Sequence, residues 1–301
     1  MAYKTRTKSE ELLITEFLNN RMKLSNKDKQ HYLNLKKGYE GEVLFDTLTE
    51  KLQCDCLILN DLLLQANSTT FQIDTLILLQ KMVFFYEVKN YEGDYYYDSE
   101  KLFKKSKREI LNPLLQLARS ESLLRQLIFS LGFKPQIDAS VLFINSKFTM
   151  YQAPLDQPFI FPTQITNYLN QLNATPSRIT DRHYQLADKL ISLHMTRSPY
   201  KQIPSYSYRQ LRKGIVCANC HSFSVNVIKW KCVCKTFRHE ELVADAVIRS
   251  VREFKMLFPN EKITTNLIHD WCRIVPSKQR IRKYLRSNYK VVGVRQWTYF
   301  E

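Results

Sequence analysis

The pentad Tyr86-Glu87-Val88-Lys89-Asn90 closes an apolar run, Met82-Val83-Phe84-Phe85-Tyr86. Residues two apart in a strand face the same side, so Glu87 and Lys89 would aim a carboxylate and an ammonium into one place. Upstream, Asp74 sits inside a second apolar run, Phe71-Gln72-Ile73-Asp74-Thr75-Leu76-Ile77-Leu78-Leu79. An acid buried there is costly unless it has a charged partner or a metal. Glu-x-Lys alone reads as a surface ion pair on an edge strand; Asp74 in its apolar setting adds weight to chemistry. Acid, then acid-x-lysine, on adjacent strands makes a site for Mg²⁺-dependent phosphodiester cleavage. Mg²⁺ takes oxygen ligands, usually one or two carboxylates with waters and a substrate phosphate. Asp74 and Glu87 would hold the ion, with the Val88 carbonyl, and Lys89 would position the attacking water and offset charge developing on phosphorus.

Two helices would flank this pair of strands. Gly38-Tyr39-Glu40-Gly41-Glu42 is read as the opening of a helix running to Leu52, with Glu42 in its first turn near the positive dipole end. Its glycines would allow a close approach of another chain or a ligand. Asn112-Pro113 starts a second helix to about Leu131, with Asn112 as N-cap and Pro113 as first residue. Gln116 would bring a side-chain amide towards Lys89 or a phosphate.

The order of helix with Gly38-x-x-Gly41-Glu42, strand, strand with Asp74, strand with Glu87-x-Lys89 and helix with Asn112-Pro113-x-x-Gln116 resembles the nuclease-related domain (NERD) family, a branch of the PD-(D/E)xK nuclease superfamily. The likeness covers roughly residues 33 to 150. It implies a restriction-endonuclease-like α/β core with a mixed central sheet flanked by helices. It also implies Glu42, Asp74, Glu87 and Lys89 as the catalytic set, with Gln116 as an accessory.

The rest of the chain has a different character. The net charge is +16, with 45 Lys+Arg against 29 Asp+Glu. Residues 200–301 hold 20 of those cations and only 7 of the acids, a local charge of +13 against +3 for the first 199 residues. So lopsided a charge is the footprint of a nucleic-acid-binding appendage. Cys217-x-x-Cys220 and Cys232-x-Cys234 follow one another with eleven residues between. Four thiolates on two knuckles suit a tetrahedral structural Zn²⁺, with about 2.3 Å per Zn–S bond, although Cys-x-Cys is tighter than the usual Cys-x-x-Cys; His221 and His239 are substitute ligands. Seven cysteines without an export signal read as metal ligands or free thiols rather than disulfides.

The final segment reads as helix from Glu240 to Leu257, helix from Thr264 to Cys272, basic helix from Lys278 to Arg286 and a hairpin about Gly293. That is the order of a winged helix-turn-helix. Ile281 and Leu285 would anchor the basic helix, while Lys278, Arg280, Arg282, Lys283 and Arg286, with Arg295 on the hairpin, would face nucleic acid. The expected organisation is an N-terminal helix (1–32), a nuclease domain (33–198), a linker and zinc-ribbon-like module (199–239) and a winged-helix-like α+β domain (240–301).

No apolar run is long enough to span a membrane, and the N-terminus has no apolar h-region, so a cytoplasmic protein is expected. The expected activity is Mg²⁺- or Mn²⁺-dependent hydrolysis of phosphodiester bonds, in DNA rather than RNA. The alternatives are a non-cutting nucleic-acid-binding protein that keeps the fold as a platform, or a winged-helix regulator.

Overall fold

The computed structural model describes residues 1–301, Gln296 by its backbone alone. The chain forms two compact units. The first comprises Met1–Lys8 and Leu33–Tyr200, the second Ser9–Tyr32 and Lys201–Glu301. Residues 9–32, expected as a separate N-terminal piece, therefore belong with the C-terminal third.

The first unit is built on a five-stranded sheet in the order β1-β2-β3-β7-β9. Its strands are β1 (Leu57–Ala66), β2 (Thr69–Leu78), β3 (Met82–Lys89), β7 (Gln136–Phe143) and β9 (Phe159–Ile160). β1, β2 and β3 pair antiparallel, whereas β7 runs parallel to β3 and to β9. The sheet is thus mixed, and β9 closes it. Alternate side chains of these apolar strands feed two cores, one on each face. Leu57, Leu59, Val83 and Phe85 meet Leu117, Leu124 and Ile128 of α3 (Pro113–Ser130) and Leu186 and Leu190 of α5 (Asp181–Ser192). Ile58, Ile77, Phe84 and Tyr86 meet Phe45 of α2 (Asn26–Thr49) and Leu169 of α4 (Ile165–Ala174). A second sheet, ordered β6-β5-β4-β8, contains a hairpin of β4 (Gly93–Asp98) and β5 (Lys101–Lys104); β6 is Glu109–Ile110 and β8 is Phe148–Tyr151. Tyr96 stacks on Phe103 directly across that hairpin, at 5.1 Å between ring centroids.

α2 begins earlier than expected, at Asn26. Ser25 caps it: the Asp28 N–H donates to Ser25 Oγ at 3.1 Å, and Ser25 Oγ donates to the Asp28 carboxylate. Lys27, Lys29, Gln30, Leu33, Leu35 and Lys36 are good helix formers, so the helix extends back through this stretch. Glu42 consequently lies deep in α2, not in its first turn, and the helix dipole does not bear on it.

The second unit contains α1 (Glu10–Arg21) and a three-stranded sheet, β10 (Val225–Ile228), β11 (Lys231–Cys234) and β12 (Glu240–Leu242). Three helices follow, α6 (Val243–Leu257), α7 (Thr265–Cys272) and α8 (Lys278–Asn288), then a short hairpin, β13 (Val291–Val292) with β14 (Tyr299–Phe300). Residues 240–242, expected as the start of α6, instead add a strand to β11. Arg21 is fully buried in this unit. It grips Glu253 through two bonds of 2.6 and 2.7 Å, donates to the carbonyls of Arg212 and Gly214, and lies 4.0 Å over the Trp271 ring.

Candidate active site

The β2–β3 pairing sets Thr75 against Tyr86 and so brings Asp74 beside Glu87. On β2 the residues feeding the α3 core are Phe71, Ile73, Leu76 and Leu78. The odd step between 73 and 76 means that the alternation slips at Asp74-Thr75. Its neighbour β1 slips at the same level, between Leu59 and Leu62, where Asp61 takes a left-handed φ of 56°. Such local distortions re-aim a side chain. Here the Asp74 carboxylate reaches across to accept the Val88 N–H at 2.8 Å.

Glu87 is buried, and its Oε1 accepts from Lys89 Nζ at 2.5 Å. Lys89 also donates to Gln116 Oε1 at 3.1 Å. Gln116 is delivered by α3, whose N-cap Asn112 accepts from Leu114 N–H, with Pro113 behind it, as expected. The structure therefore brings Asp74, Glu87, Val88, Lys89 and Gln116 together. Glu42 joins them through a residue that local pattern did not single out. Arg6 donates to Glu42 Oε2 at 2.6 Å, grips Asp46 through bonds of 2.8 and 3.0 Å, and donates to the Asp74 carbonyl at 2.7 Å. Its signal in the sequence is one arginine in a basic N-terminus, 68 residues from Asp74.

Electrostatics at the site follow from this crowding. Burial, then the Asp74 charge, pushes the Glu42 carboxyl up to about 8, against the pull of Arg6. Burial and the same neighbour push Glu87 up to about 7. Burial also raises Asp74. Burial opposes the charge on Lys89, yet Glu87 and Asp74 hold its ammonium above the ordinary value. The centre is short of positive charge. Glu87 Oε2 is buried with no hydrogen-bond partner, which is costly for a carboxylate oxygen and is a cost that a bound cation would relieve. An all-oxygen donor set of Asp74 and Glu87 fits a hard divalent ion.

Residues 37–144 match the model of the nuclease-related domain. This stretch of the chain is a nuclease-related domain. No curated protein and no solved structure matches the chain. The matched stretch carries Glu42, Asp74, Glu87, Lys89 and Gln116; Arg6 lies outside it.

In the second unit the sulfurs of Cys217, Cys220 and Cys234 lie within 4.8 Å of one another. This trio suits zinc, which favours thiolates. Cys232 lies outside it. The reason is the register of the second knuckle. In the first, Cys217 N–H donates to the Ser222 carbonyl and His221 N–H to the Cys217 carbonyl, with His221 at φ 56°. In the second, Cys234 N–H donates to the His239 carbonyl and Arg238 N–H to the Cys234 carbonyl, with Arg238 at φ 52°. By these bonds Cys234 corresponds to Cys217 and Phe237 to Cys220, so Cys234 opens the second turn. Backbone N–H groups of Phe237 and Thr236 draw the Cys234 thiol down to about 7. Cys232 instead faces the core, where burial and the nearby Glu241 raise its thiol to about 11.

On α8, Ile281 and Leu285 are buried while Lys278, Arg282, Lys283 and Arg286 are exposed. Arg280 is different: it donates to the Lys229 carbonyl at 3.0 Å and lies 5.0 Å over the Trp230 ring. Lys278, Gln279 and Arg282 join Thr264, Thr265 and Arg295 around a polar pocket of about 300 Å³. Among the described residues, no helix is long and apolar enough to cross a membrane.

Proposed function

We propose that this protein is a metal-dependent nuclease that hydrolyses phosphodiester bonds in DNA, with its basic C-terminal unit holding the substrate. The observation that carries the reading is the partnerless, buried Glu87 Oε2 beside Asp74 and Lys89. Asp74 and Glu87, with the Val88 carbonyl, would hold Mg²⁺ or Mn²⁺. When bound, the ion would polarise the phosphoryl group and lower the pKa of a water. Lys89, held by Glu87 and Gln116, orients that water and offsets charge on the phosphoryl oxygens. Gln116 keeps the Lys89 ammonium on the site, and Arg6 holds Glu42 at its edge.

The winged-helix-like order of α7, α8 and the β13–β14 hairpin supports duplex DNA over RNA. Exposed cations on α8 and Arg295 would contact phosphates and make binding salt-dependent. Cys217, Cys220 and Cys234 would hold a structural Zn²⁺. Thiols kept as metal ligands suit a reducing compartment, and we place the protein in the cytoplasm.

The test is cleavage of labelled single- and double-stranded DNA and RNA with Mg²⁺, Mn²⁺ or EDTA, beside Lys89→Ala. Metal-dependent cutting of DNA that is lost in the variant supports the reading. Equal binding without cutting in both proteins replaces it with the non-catalytic platform.

A further inference from the structure

Arg6 is an unusual neighbour for a metal centre. Its side chain is only 3% exposed. Its guanidinium is committed to Glu42, to both oxygens of Asp46, to the Asp74 carbonyl and, at 3.3 Å, to Thr75 Oγ1. It cannot swing away easily, because the chain around it is stitched to β1. Tyr3 and Lys4 N–H groups donate to the Ile58 carbonyl, and Asn60 N–H donates to the Lys4 carbonyl. A planar guanidinium with a bidentate grip on one carboxylate and a single bond to another acts as a fixed cation.

We infer that Arg6 occupies the place of a second cation, so that the centre of Asp74 and Glu87 takes one divalent ion and no more. Two of the acids at this site, Glu42 and Asp46, already have Arg6 as their cation. Glu42, the carboxylate that could recruit another ion, already has its Oε2 taken at 2.6 Å. Arg6 is therefore a positioning residue: it holds Glu42 and Asp46 away from metal and fixes the ion count.

The inference rests on reading Asp74 and Glu87 as an ion site, and its test is independent of cleavage. Mn²⁺ bound per chain is counted by electron paramagnetic resonance and calorimetry in the full-length protein and in Asp74→Asn. The difference between the two isolates this centre from any other site. The expected difference is one ion for the natural protein and for Arg6→Lys, which keeps the charge. Arg6→Ala frees Glu42 and Asp46, and the difference rises to two. Melting curves confirm that each variant is folded; if Arg6→Ala is not, the count in the natural protein and in Arg6→Lys decides. Two ions at the natural centre, or a count of one in folded Arg6→Ala, overturns the inference while leaving a nuclease intact. One ion with no cleavage of any substrate overturns the nuclease reading and leaves the inference standing. No difference between the natural protein and Asp74→Asn overturns both.

Discussion

The two units handle charge in opposite ways. At the candidate site of the first unit the charges are buried and held at close range: Lys89 by Glu87, Arg6 by Glu42 and Asp46, Asp74 by a backbone N–H. On α8 the cations stand in solvent, and Arg280 alone of the five is tied to its own chain by a backbone carbonyl and a ring face. A buried charge is costly without a partner, so its position implies a specific geometry. An exposed charge costs little anywhere on the surface, so its position implies only a field. On the proposed function, the first unit does chemistry at fixed atoms and the second attracts at long range.

The sharpest way to break this contrast is at Lys89. Lys89→Ala and Asp74→Ala should each lower cleavage by about 10²-fold or more, measured under single-turnover conditions, with DNA binding unchanged. A similar loss on neutralising Arg286 would erase the distinction between the units. Next comes stability. Glu253→Gln leaves Arg21 buried with half its partner, and a loss of about 3 kcal/mol or more is expected in denaturant titration; an unchanged midpoint would show that exposed and buried pairs are equivalent here.

The metal centre should also respond to pH. Carboxyls raised to about 8 in Glu42 and about 7 in Glu87 hold protons that a cation must displace. Mn²⁺ affinity should therefore fall as pH drops from 8 to 6. Stability without metal should move the other way. These carboxyls bind protons more tightly folded than unfolded, so folding is favoured at low pH and weakens as pH rises from about 4.5 towards 8. Melting curves with and without Mn²⁺ at both pH values check both signs; an affinity flat across this range contradicts them.

How much of this could be read in advance follows the same division. β1, β2, β3 and α3 were legible because apolar runs, the Asn112-Pro113 start and the two-residue spacing of Glu87 and Lys89 are local signals. Arg6 was not, since its partners are 36 to 69 residues away and one arginine near a terminus has no pattern. Arg21 was hidden for the same reason, with Glu253 232 residues distant. The early start of α2 was missed because helix propensity in a polar stretch carries no apolar period. Cys232 was grouped with Cys234 by adjacency, whereas turn hydrogen bonding gives the knuckle its register.

That register makes a smaller prediction. Cys234→Ser should shed zinc to a chelator, while Cys232→Ser should retain it; equal loss from both would restore Cys232 as a ligand. Smallest of all, Arg282→Ala should weaken DNA binding about equally for all sequences and reduce the slope of affinity against salt by about one. A change confined to one sequence would turn α8 from a source of field into a reader of bases.

Gly41 sets a distance. A Cβ at this position would lie 2.5 Å from the Asn90 Cβ, just beyond the strand that carries Glu87 and Lys89. Asn90 in turn donates to the Lys37 carbonyl on the same helix and accepts from Asn145. The missing methyl is thus a calliper between helix and sheet: it fixes how far Glu42 stands from the acid-x-lysine pair. Restoring that methyl would leave every functional group present and open the gap between them.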